Sequence, residues 1–384
     1  MKIGVPCETA PDERRVALVP ALVASYVKLG YEVMIQSGAG AGAYHSDDSY
    51  ASAGATILPT REALLQAADV VLMVRTAGAN PNFEADLPYI RAGQVWIGFM
   101  EPLYRSQGVA QLAERGATVF AMELIPRITR AQSMDALSSM ATVAGYKAVL
   151  LAAHLSPSMF PLLMSAAGTV SPARVFVIGA GVAGLQAMAT AKRLGAAVSG
   201  YDVRPATREQ VESVGAKFIE ISLEIAQAEA AGGYARALEE ETLRRQQDLL
   251  GEHLVQHEVV ITTAAVPGKR APMLIPQRVV EAMQPGSVIV DLVAEWGGNC
   301  EPTQPGKTVQ HGGVSIVGAV NLPATAPIDA SMLYSRNLYN LIVHLHKVGM
   351  LPEIKPDHED EIARETLVAH GGTIVNPRVL QSLG

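Results

Sequence analysis

RVFVIGAGVAGLQAMATAKRLG, running from Arg174 to Gly195, is where the fold of this chain declares itself. The apolar run VFVI precedes Gly179, Gly181 and Gly184 in G-x-G-x-x-G spacing, and a helical pattern opening at Val182 follows, which Gly195 would terminate. A strand, a glycine turn and a helix in that order are the context a dinucleotide-binding fingerprint requires. Gly179 permits the tight turn, Gly181 lets backbone approach a pyrophosphate, and Gly184 lets helix and strand pack closely, with the helix N-terminus facing the phosphates.

The next apolar run, AAVSGYD, ends in Asp202, placed to accept hydrogen bonds from an adenosine ribose diol. A carboxylate there repels a 2′-phosphate, so NAD(H) is favoured over NADP(H) as cofactor. Arg204, beyond Val203, is the counter-signal, because an arginine nearby can welcome that phosphate. At the end of a later strand, Thr262, Thr263, Ala264 and Ala265 are small enough to let the nicotinamide end lie across the sheet.

Working outward, RVFVIGAG, AAVSGYD, AKFIE, EVVITTAA, SVIVDLV and VSIVGAV give six strands with intervening helices, the count of a complete Rossmann fold. The first third repeats the alternation with IGVP, EVMIQSG, DVVLMV, QVWIGFM and ATVFAMEL, predicting a second parallel α/β domain. The remainder after about Ala326 reads as helical and too small to fold alone. The expected fold class is therefore α/β, with two doubly wound parallel-sheet domains and a cleft between them. Residues 1–137 with 326–384 form the first domain, and 138–325 the Rossmann NAD-binding one.

Composition agrees with buried sheets: 49% of the 384 residues are hydrophobic and 17% charged. A formal charge of −7 without a long basic run gives no footprint for nucleic acid. Cys7 and Cys300, alone and far apart, make no disulfide framework and suit a reducing cytosol. The uncharged run between Lys147 and Arg174 is long enough to span a bilayer, but HLSPSMFP at its centre breaks a helix with paired prolines. It reads as a buried helix followed by a loop. His253 and His257 have metal-ligand spacing without the glutamate of HExxH, and no metal is expected. The segment from Ala231 to His253 reads as a charged helix behind a hinge at Gly232 and Gly233, which leaves Tyr234 a candidate mobile residue.

PRITRAQSMDALSSM, Pro126 to Met140, concentrates polar groups in an otherwise apolar chain. Thr129 and Gln132 have capping-box spacing, and Ser133 is an alternative cap. A helix starting there would put Gln132, Asp135, Ser138, Ser139 and Thr142 on one arc, with Met134, Leu137, Ala141, Ala144 and Ala148 opposite. Serine and amide groups can bind a carboxamide, and an arginine with an aspartate can fix a ribose. None is an obvious general acid or base at neutral pH.

PRITRAQSMDALSS, AAGTVSPARVFVIGAGVAGLQAMATAKRLGA, YDVRPATREQVESVGAKF, AGGYA and PGSVIVDLVAEWGGNCE together resemble the NAD(H)-binding alpha subunit of proton-translocating nicotinamide nucleotide transhydrogenase. The likeness covers essentially the whole chain, with local departures around WIGFMEPLY and after Tyr339. It implies that Arg127, Asp135 and Ser138 grip the nicotinamide and its ribose. Gln132 would also reach the cofactor of a partner subunit, Tyr234 would close over the site, and Gly233 would contact the adenosine side.

The resemblance further implies NADP(H) on a separate beta subunit, a short membrane subunit as another polypeptide, a homodimer, and a cytoplasmic protein held peripherally at the inner membrane by its partners. The related alanine dehydrogenases would require an early arginine, a lysine after the third strand, a histidine after the fourth and an aspartate in the Pro-Gly loop. Here Arg15 is kept, but Arg75 stands at the lysine, QVWIGFMEPLYR has no histidine, and Lys269 and Arg270 stand where the acid is expected. Arg15 and Arg75 then read as structural or surface charges. The two competing expectations are an amino-acid dehydrogenase acting on a small 2-oxo acid and a non-catalytic NAD(H) sensor.

Overall fold

Strands form where the apolar runs lie, because a near-continuous run of Val, Ile and Leu is stable as a strand only when both sheet faces are covered. The computed structural model describes residues 1–221, 240–356 and 358–383. The chain divides into two units, Met1–Met140 with Pro323–Gly384, and Ala141–Leu322.

In the first unit, β1 (Lys2–Val5), β2 (Glu32–Gln36), β3 (Thr56–Leu58), β4 (Val70–Arg75), β5 (Val95–Phe99) and β6 (Thr118–Ala121) are all parallel. Between them run α1 (Pro20–Lys28), α2 (Asp47–Ser52), α3 (Arg61–Ala67) and α4 (Ser106–Glu114). Val70 to Val74 of β4 are fully buried, as a central strand must be. The chain leaves this unit along α5 (Ala136–Leu155).

The second unit opens with a short hairpin, β7 (Leu163–Ser165) and β8 (Gly168–Val170), every residue of which is exposed. This corrects the expected loop: the uncharged run continues as an exposed antiparallel ribbon after α5, whose Ala148, Val149 and Ala152 enter the core of this unit. Among the described residues, α5 is the one helix long and apolar enough to cross a membrane.

The main sheet comprises β9 (Arg174–Ile178), β10 (Ala197–Tyr201), β11 (Lys217–Phe218), β12 (Val259–Thr262), β13 (Val288–Asp291), β14 (Thr308–His311) and β15 (Val314–Gly318), with α6 (Val182–Arg193), α7 (Arg208–Ser213), α8 (Glu240–Leu254) and α9 (Gln277–Ala282) between strands. Its order is β11-β10-β9-β12-β13-β15-β14. That is the 3-2-1-4-5-6 Rossmann order with β14 added antiparallel at the edge. Val175, Val177, Val259, Ile261, Val288 and Val290 feed one core while Phe176, Ile178, Val260 and Ile289 feed another, so alternate side chains fill opposite faces.

The C-terminal segment belongs with the first unit and consists of α10 (Pro327–Lys347), α11 (Glu361–Thr366), β16 (Leu367–His370), β17 (Thr373–Ile374) and α12 (Pro377–Leu383). Its two strands correct the expectation of a wholly helical segment. β16 pairs antiparallel with β6 and β17 with β16, giving the order β17-β16-β6-β5-β4-β1-β2-β3. The two-residue turn between β16 and β17 is Gly371-Gly372, with φ of +58° and +85°, which suits a tight hairpin turn and few residues other than glycine. Both units are thus doubly wound in the same strand order.

α10 is fixed by polar as well as apolar contacts. Ser331 Oγ accepts the amide of Val16, Ser335 Oγ accepts that of Val19 and donates to the Ala17 carbonyl, and Tyr334 donates to the Met73 carbonyl at 2.9 Å.

Candidate functional site

The turn between β9 and α6 shows why each glycine is needed. Gly179 has φ +98°, and a Cβ on it would lie 2.4 Å from Thr263 Oγ1. A Cβ on Gly184 would lie 1.7 Å from the Gly179 carbonyl oxygen, so no larger residue fits where α6 meets the turn. Gly181, the N-cap of α6, differs: a Cβ there would meet nothing within 4 Å. The space over Gly181 opens outward beside first-turn amides that lack intrahelical acceptors, and Val182 at the start of the helix is 42% exposed. This is a cradle for an anion at a helix N-terminus.

Asp202 follows β10 and closes the turn from the side. Its Oδ2 accepts the Ala180 amide at 2.8 Å, and its Oδ1 accepts the amide and Nε of Arg204, both at 2.9 Å. Arg204 Nη2 completes a fork on Oδ2 at 3.0 Å. The arginine that could have welcomed a 2′-phosphate is therefore held by the carboxylate that would repel one. Val203 between them is half-buried.

Thr263 donates its hydroxyl toward the carbonyls of Ile178 and Gly179, locking the end of β12 to the glycine turn. Ala264 is held on both sides by Asn299, whose Oδ1 accepts the Ala264 amide at 3.0 Å and whose Nδ2 donates to the Ala264 carbonyl at 2.9 Å. Asn299 is itself fixed by Asp291, a fully buried carboxylate that accepts the amides of Val293, Asn299 and Cys300 and the Thr303 hydroxyl. Ala265 is left exposed. Sequence reasoning missed Asn299 and Asp291; the GGN of AEWGGNC was the local sign that a polar residue is presented there. It also missed Gly145, where a Cβ would lie 2.1 Å from the Ala183 carbonyl, so that glycine sets how closely α5 and α6 pack.

In the first unit, Pro126, Arg127, Ile128, Gln132, Asp135 and Ser138 line one cavity of about 340 Å³. The expected caps Thr129 and Ser133 are not the helix start. Thr129–Met134 is a separate 3₁₀ helix, and α5 begins at Ala136 with Asp135 before it. Asp135 Oδ1 accepts the Ser138 amide at 2.9 Å and Oδ2 accepts the Ser138 hydroxyl at 2.5 Å, so the carboxylate is the cap.

The break changes which residues after it face the core. Leu137, expected on the buried side, is 40% exposed, and Ala136 and Met140 are buried instead. Arg127 and Gln132 are exposed at the cavity. Gly233 and Tyr234 lie outside the described residues.

The two arginines weighed against the dehydrogenase pattern are internally paired. Arg15 donates to both oxygens of Glu13, at 2.7 and 2.6 Å, and is 4% exposed. Arg75 donates to the Ala79 carbonyl at 2.8 Å and lies 3.7 Å from Glu101. Both are structural. His253 and His257 pack on the ring of Phe176, at 6.2 and 5.1 Å between centroids.

Residues 4–144 match the N-terminal and residues 148–377 the C-terminal domain model described as "Alanine dehydrogenase/PNT". The chain belongs to the alanine dehydrogenase/PNT family. Within this family its sequence stands nearer to transhydrogenases than to dehydrogenases. It is 47% identical, over 98% of both chains, to a Rhodospirillum rubrum protein named as the first portion of NAD(P) transhydrogenase subunit alpha. A transhydrogenase from Sinorhizobium meliloti superposes with a TM-score of 0.83 at 40% identity, covering 98% of this chain and 99% of the other. An L-alanine dehydrogenase structure gives the same TM-score of 0.83, over 100% and 99% of the two chains, at only 25% identity. Shape alone does not separate the two branches of the family, whereas residue identity does.

Proposed function

We propose that this chain is the NAD(H)-binding alpha subunit of a proton-translocating transhydrogenase and takes part in direct hydride transfer to NADP⁺ held by a partner subunit. The observation that carries the reading is the cavity lined by Arg127, Gln132, Asp135 and Ser138, which offers hydrogen-bonding groups but no obvious general acid or base at neutral pH, its one carboxylate being engaged as the cap of α5. Bound NADH supplies the hydride. A keto-acid reductase must also deliver a proton to the forming hydroxyl or amine, whereas transfer between two nicotinamide rings requires only proximity and orientation. Arg15 and Arg75 are internally paired, and the loop after β5 has no histidine.

The residues present fit a dinucleotide. The open space over Gly181 and the α6 N-terminus suit a pyrophosphate, with Val182 alongside, and Asp202 suits the adenosine ribose. Thr263, Ala264 and Ala265, steadied by Asn299, would border the nicotinamide end. Arg127, Asp135 and Ser138 would grip the ring and its ribose, with Gln132 also facing the partner's cofactor, Gly233 at the adenosine side and Tyr234 closing over the site. The partners in this reading are an NADP(H)-binding beta subunit and a small membrane subunit that couples transfer to proton movement. The chain would act as a homodimer, without metal or nucleic acid, at the cytoplasmic face of the inner membrane.

Single-turnover transfer from NADH on this chain to NADP⁺ on a purified beta-subunit nucleotide domain tests the proposal. NADPH formation that needs both proteins and is lost in Gln132→Asn with NADH binding intact is the expected result. Absence of transfer with a cognate partner, together with turnover of pyruvate and ammonium, would assign the chain to the dehydrogenases instead. NADH binding with neither activity would make it a sensor.

A further inference from the structure

The six-residue 3₁₀ helix that carries Gln132 is tethered at two points to the C-terminal segment of the same unit. The carbonyl of Ser133, the residue after Gln132, accepts Asn337 Nδ2 at 2.9 Å and Asn340 Nδ2 at 3.0 Å, both from α10. Two residues before Gln132, Arg130 Nη1 donates to Asp360 Oδ2 at 2.8 Å. Asp360 is itself held, with Oδ1 accepting His344 Nε2 at 2.8 Å and the Ala363 amide at 3.0 Å.

Asn337 is 5% exposed and its Oδ1 is buried with no hydrogen-bond partner. Turning the amide over would set that oxygen against the Ser133 carbonyl, so the orientation is fixed by the tether at the cost of an unsatisfied acceptor. A buried amide that leaves one atom unpaired in order to place the other is holding something in position.

We propose that Asn337, Asn340 and Asp360 are positioning residues for the nicotinamide end of the site, acting through the Thr129–Met134 turn to set Gln132 and Arg127. The proposal rests on the reading that the Arg127–Gln132 cavity takes the nicotinamide. None of the three lines that cavity, so any effect on a ligand there must pass through the turn. A short 3₁₀ segment has little stability of its own, and a displacement of about 1 Å is enough to spoil a positioned group.

The test compares binding of NADH, followed by the fluorescence of its reduced ring, with binding of ADP-ribose, which lacks the ring. Asn340→Asp keeps the side-chain shape and replaces the donor with an oxygen that repels the Ser133 carbonyl, and Arg130→Ala cuts the second tether at an exposed residue. The combined variant is expected to bind NADH about tenfold more weakly, the loss of one or two hydrogen bonds, with ADP-ribose affinity unchanged and at most a small fall in melting temperature from the lost Asp360 pairing.

Arg127→Ala, measured alongside, separates this inference from the one beneath it. If Arg127→Ala weakens NADH selectively and the tether variant does not, the positioning role is overturned and the cavity assignment stands. If neither changes NADH binding, both are overturned. Equal weakening of both ligands, or a fall in melting temperature that accounts for the loss, would make the tethers merely structural and also overturn the proposal.

Discussion

Gly181 and Gly184 sit three residues apart, and the structure gives them opposite reasons for being glycine. A methyl on Gly184 would collide with the Gly179 carbonyl at 1.7 Å, whereas one on Gly181 would enter open space. Gly184→Ala should therefore cost roughly 3 kcal/mol or more of stability and be visible in a thermal melt. Gly181→Ala should melt as the parent does but bind NADH at least about tenfold more weakly, because its methyl fills the anion cradle. Equal effects in both assays would show that the cradle is not used. Asp202 is the other residue with a separable consequence. Asp202→Ser releases Arg204 from the fork that now occupies it, so NADH affinity should fall and NADPH affinity rise, as read by two fluorescence titrations. These residues were legible in the sequence because the turn is local and each glycine acts within a few positions of itself. Asn299 was not, since its partners at Ala264 and Pro272 are 27 or more residues away in sequence, and Asp291 gains its role only by fixing Asn299.

At the level of elements, the strands are readable from apolar runs, whereas the ends of elements depend on which of several capping groups prevails. PRITRAQSMDALSSM suggests Thr129 and Ser133 as caps, with Asp135 only a part of the polar arc. Asp135 prevails, its carboxylate taking both the amide and the hydroxyl of Ser138, bonds to an ionised acceptor that are stronger than those a neutral serine hydroxyl makes. The cap lines the cavity too, and its two duties can be separated. Asp135→Asn should keep the cap, since asparagine serves nearly as well, and melt as the parent does. Asp135→Ala should lose about 1 kcal/mol in denaturant unfolding. Both should weaken NADH binding if the charge itself engages the ribose; a binding loss confined to the alanine variant would assign the carboxylate to the helix alone. The Gly371-Gly372 hairpin had a readable signal, two adjacent glycines between the short, mostly apolar runs LVAH and TIV, but the flanking strands are too short to show a period.

For the whole molecule, the same strand order appears twice, and six or fewer readable runs in each half were enough to anticipate doubly wound sheets. Yet the carboxyl ends of the two sheets carry different chemistry. In the second unit the ends of β9, β10 and β12 present the glycine turn, Asp202 and Thr263. In the first, the segments after β1 and β6 bury acids. Glu8 accepts the amides of Val74 and Arg75, while burial and the nearby Glu13 push its carboxyl up to about 8. Glu123 accepts the amides of Met100 and Glu101 on Oε1 alone, leaving Oε2 buried without a partner, and burial raises it to about 7.

Both acids are protonated in the folded state at pH values where the unfolded chain has already ionised them. Their stabilisation is complete below the ordinary glutamate range and is lost as pH rises through about 7 and then about 8. Asp360 works in the other direction. Burial alone would raise it, but bonds from His344, Ala363 and Arg130 outweigh that and bring it down to about 2, so its contribution is lost only as pH falls toward 2. The combined contribution of these three groups to stability should accordingly be greatest near pH 4 to 5, between these two windows, and decline up to pH 8. Glu123→Gln tests the cause, because its amide oxygen can still accept from Met100 and Glu101 while the group no longer titrates. The variant should hold its melting temperature above that of the parent at pH 8 and lose that advantage at pH 5. A parallel pair of curves would mean that Glu123 is ionised in the folded protein and that the alkaline loss originates elsewhere.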